Sequence, residues 1–182
     1  MGKKIVILNG SPRPNGNTAA LIEAFTCGAE EAGNSVDVFL LDSLNIHACK
    51  GCYGGGKDAA SPCAQKDDMD TIYPVYKEAD VVVLASPLYF WNLSGQLRTT
   101  FDRLFAVAEC NPGYKNPEKD CVLLMAAAGS DYAEVKNYYD GLMGHLNWNS
   151  LGAVLAGGVD AIGDIKGKPE LEEARKLGAS IA

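Results

Sequence analysis

At 182 residues and 47% hydrophobic content, the chain has apolar material for one domain, and a domain of this size buries roughly 70% of the surface its unfolded chain exposes. Twenty-three acidic against 16 basic residues give a net charge of −7 without any basic run, which excludes long-range attraction to nucleic acid or to an anionic membrane surface. The opening apolar run is too short for a signal peptide and no stretch reaches the length of a membrane span, so the expected location is cytoplasmic, with neither membrane nor nucleic acid as partner.

In chain order, residues 5–18 read I-V-I-L-N-G-S-P-R-P-N-G-N-T, a buried strand turning through small polar residues into a helical pattern. Such a turn aims backbone N–H groups and hydroxyls at one point beyond the strand's carboxyl end, which suits a phosphate. Ser11, Asn17 and Thr18 offer short hydrogen bonds, Arg13 a charge-assisted one, and Gly10 and Gly16 a tight backbone. The spacing matches neither G-x-x-x-x-G-K-[ST] nor G-x-G-x-x-G, so neither an NTPase loop nor a dinucleotide fingerprint is present. As a plain strand-to-helix turn, the segment would use Asn17 or Thr18 as N-cap.

A helix is predicted over residues 18–32, with Leu21, Ile22, Phe25 and Ala29 on one face and Gly33 just past its end. Strands follow at 36–41, 81–86, 121–126 and 151–156, and helices at 71–79, 95–107, 133–146 and 170–180, the last opened by Pro169. Strand and helix in alternation predict an α/β fold, a doubly wound parallel sheet covered on both faces. Residues 1–182 are read as a single domain with a long cysteine-containing insertion at about 43–66, a length at which loops are usually functional. Asp67, Asp68 and Asp70 are assigned to the dipole of the helix after it. Asn147 and Trp148 are expected in the core or an interface.

After the third strand, S-P-L-Y-F-W-N-L-S-G-Q-L places Tyr89, Phe90 and Trp91 in succession at the strand's carboxyl end. Ligands of open α/β sheets lie across those ends, so this loop and the Gly10 turn are expected to face one site. A phosphate at one end and planar aromatics at the other describe flavin mononucleotide; the alternative use of the aromatics is packing on a neighbouring subunit.

With both loops in hand, the chain resembles the flavodoxin-like NAD(P)H-dependent FMN reductase family, whose members carry G-S-P-R-x-x-G-N-T and S-P-x-Y-F/W loops. The resemblance implies a five-stranded sheet of order 2-1-3-4-5 and assigns Ser11, Arg13, Asn17 and Thr18 to the FMN phosphate. It assigns Pro87, Leu88, Tyr89, Phe90 and Trp91 to the isoalloxazine, mainly through main-chain groups, and Gly129 in A-A-A-G-S-D-Y to the same ring. Homodimers or homotetramers are implied, with the site roofed by a neighbour.

Six cysteines, Cys27, Cys49, Cys52, Cys63, Cys110 and Cys121, are too few and too uneven for a disulfide framework and read as reduced thiols. Cys49, Cys52 and Cys63 lie in a segment similar to the cluster-binding loop of iron-sulfur flavoproteins, which has a compact C-x2-C-x2-C spacing and one further cysteine. Gly55 stands where the third cysteine would fall. A [4Fe–4S] cluster takes four thiolates, so the expectation is a scaffold loop whose cysteines stay reduced or pair loosely and hold no metal; three thiolates and His47 around zinc is the alternative.

The function read from the sequence is an FMN-dependent oxidoreductase in which NAD(P)H reduces the flavin and a small acceptor takes the electrons: a quinone, a nitro- or azo-aromatic, or free flavin. No side chain is needed as acid or base, which agrees with only two histidines and no Ser/His/Asp set. Rival readings are a flavodoxin-type electron carrier without nicotinamide activity, an iron-sulfur flavoprotein-like electron transfer protein, and a flavin-free thiol sensor.

Overall fold

Strands that are apolar on both faces belong in the middle of a sheet covered on both sides. That is where the computed structural model, which describes residues 2–182, puts β1 (Lys4–Asn9), β3 (Val81–Pro87) and β4 (Asp120–Ala126). The edges are β2 (Ser35–Leu40) and β5 (Asn149–Ala156), and all five pair in parallel in the order β2-β1-β3-β4-β5. Alternation divides each strand between two cores. Val6, Leu8, Val82 and Leu84 pack with α2 (Met69–Glu78), α3 (Gly95–Arg103), α4 (Phe105–Ala108) and α5 (Ala133–Leu146). Ile5, Ile7, Val81 and Val83 pack with α1 (Asn17–Glu31) and α6 (Pro169–Ala179).

The α1–α6 contact is set by two glycines. A Cβ on Gly28 would collide with the carbonyl of Arg175, and one on Gly178 with that of Phe25, so the helices cross at backbone distance. Trp148 is buried and donates its indole N–H to Pro117 O at 2.9 Å, one of the two expected roles.

One predicted helix differs. The pattern over 95–107 breaks at Leu104, where i→i+3 bonds (Leu104 N–H to Phe101 O, 3.0 Å; Val107 N–H to Leu104 O, 2.9 Å) replace the α ladder. The break lets Arg103 turn inward while Phe105 stays at the surface. Among the described residues no helix is long and apolar enough to cross a membrane.

Candidate functional site

The turn after β1 is built from its own polar groups. Asn9, a buried side chain at the strand's end, accepts from Ser11 N–H through Oδ1 at 3.0 Å. Ser11 Oγ in turn accepts from Arg13 N–H at 3.2 Å, and Gly16 N–H closes on Arg13 O at 3.0 Å. A Cβ on Gly16 would sit 2.9 Å from Arg13 Cβ, so the closure depends on glycine. Gly16, not Asn17 or Thr18, is the N-cap of α1, and no side chain caps it. The first N–H groups of α1 have no intrahelical acceptor and point into the turn.

Asn17 lines the turn and also ties it to a distant loop. Its Nδ2 donates to Ala161 O at 2.9 Å, and its Oδ1 accepts from Gly163 N–H (3.1 Å) and Ile165 N–H (3.4 Å). Both ends of the carboxamide thus hold the loop between β5 and α6, and the second Nδ2 hydrogen and the main-chain N–H are the donors left to face an anion. Arg13 is tied to the same loop by Nη1 to Asp160 O at 3.1 Å, which leaves other guanidinium N–H groups at the surface of the turn.

The turn after β3 is locked to the first one by two buried serines. Ser86 Oγ accepts from Ser94 N–H at 2.8 Å, and Ser94 Oγ donates to Gly10 O at 2.7 Å while capping α3 through Leu97 N–H at 3.3 Å. Gly10 is required here, since a Cβ would collide with Ser94 Oγ and come within 2.7 Å of Leu97 Cβ. Neither serine nor Asn9 was singled out in the sequence. Ser94 was findable as a cap before G-Q-L, and Asn9 as a polar residue ending an apolar strand.

Between these turns, Tyr89 and Asn92 exchange two backbone hydrogen bonds of 3.0 Å, closing a two-residue hairpin over Phe90 (φ 47°) and Trp91 (φ 57°). Positive φ at both central residues is the type I′ pattern, usually filled by Asn-Gly. Two aromatics there are strained by about 1–3 kcal/mol each. The hairpin also projects: Phe90 is 94% exposed and Trp91 56%.

Ser11, Arg13, Asn17, Thr18, Pro87, Leu88 and Tyr89 line one cavity of about 160 Å³, with a third wall from Ala126, Ala127 and Ala128. Phe90 and Trp91 stand outside it at the hairpin tip, and Gly129 lies one residue beyond the third wall, its carbonyl accepting from Gly158 N–H at 3.3 Å. Val159 and Asp160 complete the wall, brought there by Val159 N–H to Ala127 O at 2.9 Å, a contact without a local sequence signal. A larger hollow of about 770 Å³ opens behind Gly16 toward Val38 and Ile162, but neither Ser11, Arg13 nor any residue of the β3 turn reaches it.

The cysteine insertion, residues 44–68, has no helix or strand and is held from α3. Arg103, 1% exposed, donates from Nη1 to Asp67 Oδ2 (2.6 Å) and His47 O (2.7 Å), and from Nη2 to Asp67 Oδ1 (3.0 Å). Asp67 is therefore more than a dipole partner for α2. Burial would push its carboxyl up, but Arg103 and the N–H groups of His47 and Met69 outweigh that and hold it at about 2.

The profile of the family described as NADPH-dependent FMN reductase matches residues 3–161. An iron-sulfur flavoprotein of Archaeoglobus fulgidus is 31% identical over 179 residues, covering 98% of this chain and 79% of that protein. One from Methanosarcina thermophila is 34% identical over 113 residues, covering 62% of this chain and 58% of its own length. The chain thus spans most of the first relative but little more than half of the second. Among solved structures, the NAD(P)H:quinone oxidoreductase from Methanothermobacter marburgensis superposes with a TM-score of 0.72 at 20% identity, covering 98% of this chain and 96% of that one, a likeness of fold. With a five-stranded 2-1-3-4-5 sheet and two interlocked turns at its carboxyl edge, the chain belongs to the flavodoxin-like NADPH-dependent FMN reductase family, among relatives of the iron-sulfur flavoprotein type.

Proposed function

We propose that this chain is an FMN-dependent oxidoreductase that takes electrons from NAD(P)H and delivers them to a small acceptor such as a quinone, an azo- or nitro-aromatic, or free flavin. The observation that carries this reading is the single cavity shared by the Ser11–Arg13 turn, the first turn of α1 and Pro87, Leu88 and Tyr89. The residues fit the cofactor. Unpaired helix-start N–H groups, the Thr18 side chain and the Arg13 guanidinium suit a phosphate dianion, and a glycine at 16 lets the turn close around it. When bound, FMN supplies hydride acceptance from a nicotinamide and electron delivery to the acceptor. The chain's own part is to bind, orient and cover: Ser94 and Ser86 fix the distance between the two turns, and the Asn17 carboxamide fixes the third loop.

The cavity of about 160 Å³ is smaller than the 300–1,000 Å³ usual for a ligand site, so one chain encloses the phosphate end and leaves the ring side open. A homodimer or homotetramer in which a second copy covers the ring supports that geometry, and the exposed Phe90 and Trp91 are apolar surface for the contact. Residues 2–182 act as one domain in this reading, both cores sharing the one sheet.

The relatives' name raises an iron-sulfur group as well. A four-thiolate set does not fit: among the described residues Cys49, Cys52 and Cys63 line a common cavity, Gly55 offers no side chain, and Cys110 turns its Sγ back to Ala106 O at 3.6 Å. No step of the proposed reaction uses such a group.

The test is anaerobic titration of the FMN-loaded protein with NADH and with NADPH. Loss of the oxidised flavin absorbance, and its return on adding a quinone, is the expected result. Flavin that binds but stays oxidised under excess of both nicotinamides contradicts the enzyme reading and leaves the electron carrier.

A further inference from the structure

Beneath the insertion lies a cavity of about 220 Å³ whose wall includes Tyr53, Phe105, Arg103 and Glu109. Its half-buried carboxylate has no counter-ion. Among the described residues no ion pair or side-chain hydrogen bond engages Glu109. Arg103 shares the wall but is spent elsewhere, since Nη1 and Nη2 both go to Asp67. The carboxylate is also held in place: a Cβ on Gly55 would collide with Glu109 Oε2 and one on Gly56 with the Glu109 carbonyl, so the insertion packs its bare backbone against this residue.

The rest of the wall is aromatic. The Tyr53 and Phe105 rings meet at 90° with centroids 6.0 Å apart, a right-angled corner in the lining, and Tyr114 backs it, stacked on Phe105 at 5.9 Å and edge-on to Tyr53 at 6.4 Å. Tyr53 (φ 47°) and Tyr114 (φ 55°) both adopt the left-handed backbone, uncommon for bulky side chains, yet Tyr53 is 73% exposed and Tyr114 56%, so burial within the chain does little to offset the strain. A carboxylate beside ring faces is a setting for a cation. The cation is not a metal, since among the described residues no three His, Cys, Asp or Glu side chains converge to hold one. Nor does the wall suit a primary ammonium, which has three N–H donors to satisfy. Pro62 O already accepts from Gly56 N–H at 2.8 Å, the Gln65 amide is committed to Ala48 O at 3.0 Å, and the rest of the lining near the carboxylate is thiol, alanine and ring carbon.

We propose that this cavity binds a compact methylated ammonium ion, with its charge against the Glu109 carboxylate and its methyl groups on the Tyr53 and Phe105 rings. Such an ion asks for few or no hydrogen bonds and is attracted by the negative faces of aromatic rings. About 220 Å³ holds a cation of the size of tetramethylammonium or choline. The site shares no lining residue with the cavity at the sheet edge, so binding there is measured with or without FMN and does not rest on the oxidoreductase reading.

The test is titration of the full chain with choline and with its uncharged isostere, in which carbon replaces nitrogen, followed by calorimetry and by the proton resonance of the ligand methyl groups. Wild type is expected to bind choline at least about 10-fold tighter than the isostere, with the methyl resonance moved upfield by the ring faces. Glu109→Gln, close in shape, is expected to weaken choline about 10-fold and leave the isostere unchanged. Phe105→Leu keeps apolar bulk on α4 and is expected to reduce the upfield movement and weaken choline about 3-fold or more, with a urea midpoint matched to wild type. Wild type that binds neither compound, or both equally, overturns the proposal without recourse to any variant. Choline affinity unchanged in a folded Glu109→Gln chain overturns it as well.

Discussion

The sheet-edge pocket and the cysteine insertion are organised by opposite means. The pocket is made of short turns whose hydrogen bonds run between neighbours, Asn9 to Ser11 and Ser11 to Arg13, then cross-linked by Ser86 and Ser94. The insertion has almost no ladder of its own; its one buried ion pair, Arg103–Asp67, pins the stretch before Cys49 through His47 and the stretch after Cys63 through Asp67 itself, while more exposed bonds such as Ser61 Oγ to Asp70 Oδ1 (2.7 Å) and Lys77 Nζ to Ala59 O (2.7 Å) tie its middle to α2. Many small, redundant bonds make a site that tolerates the loss of one. A single buried pair concentrates most of the hold at one place.

Removing the clamp therefore has the largest expected effect. Arg103→Leu leaves Asp67 charged and buried and is expected to cost about 3–5 kcal/mol, read as a lower urea midpoint together with rapid proteolysis confined to residues 44–68. On the pocket side, Gly10→Ala forces a methyl group against Ser94 and Leu97 and is expected to cost about 1–3 kcal/mol, with weakened FMN binding because both turns shift together. Equal proteolysis of residues 44–68 in both variants would show that the two regions are not independent.

Acid separates them further. The Asp67 carboxyl sits at about 2 in the folded chain against about 3.9 unfolded, so its contribution is complete above the unfolded value and disappears as pH falls through the folded one. Stability measured from pH 5 down to pH 2 is expected to lose roughly 2 kcal/mol from this group, a loss absent in Arg103→Leu. The smallest expected effect has the opposite sign. Phe90→Asn combined with Trp91→Gly installs the favoured type I′ pair and is expected to raise the melting temperature by roughly 2–4 °C while weakening self-association, measured by sedimentation.

The same contrast explains what could be read in the sequence. Apolar runs and helical spacing located β1, β3 and β4 within a residue or so, and Gly10, Ser11, Arg13 and Gly16 announced a tight turn after β1 because its bonds are local. Three things were not legible. Asn17 has partners at residues 161–165 that lie far along the chain, so its tie to that loop leaves no local pattern. Asp67 looks like one of three helix-start acids, and only the break at Leu104 delivers Arg103 to it. Glu109 follows an apolar helical stretch, and nothing within reach of a local pattern connects it to Gly55.

The most direct measurement is the affinity of the purified chain for FMN against riboflavin, which lacks the phosphate, by fluorescence quenching in wild type and Arg13→Ala. The turn after β1 as phosphate site predicts FMN tighter by at least about 100-fold in wild type, and a gap about 10-fold or more smaller in Arg13→Ala, the worth of one charged hydrogen bond of about 1.5–3 kcal/mol. Equal binding of the two flavins by wild type would contradict the account at its root.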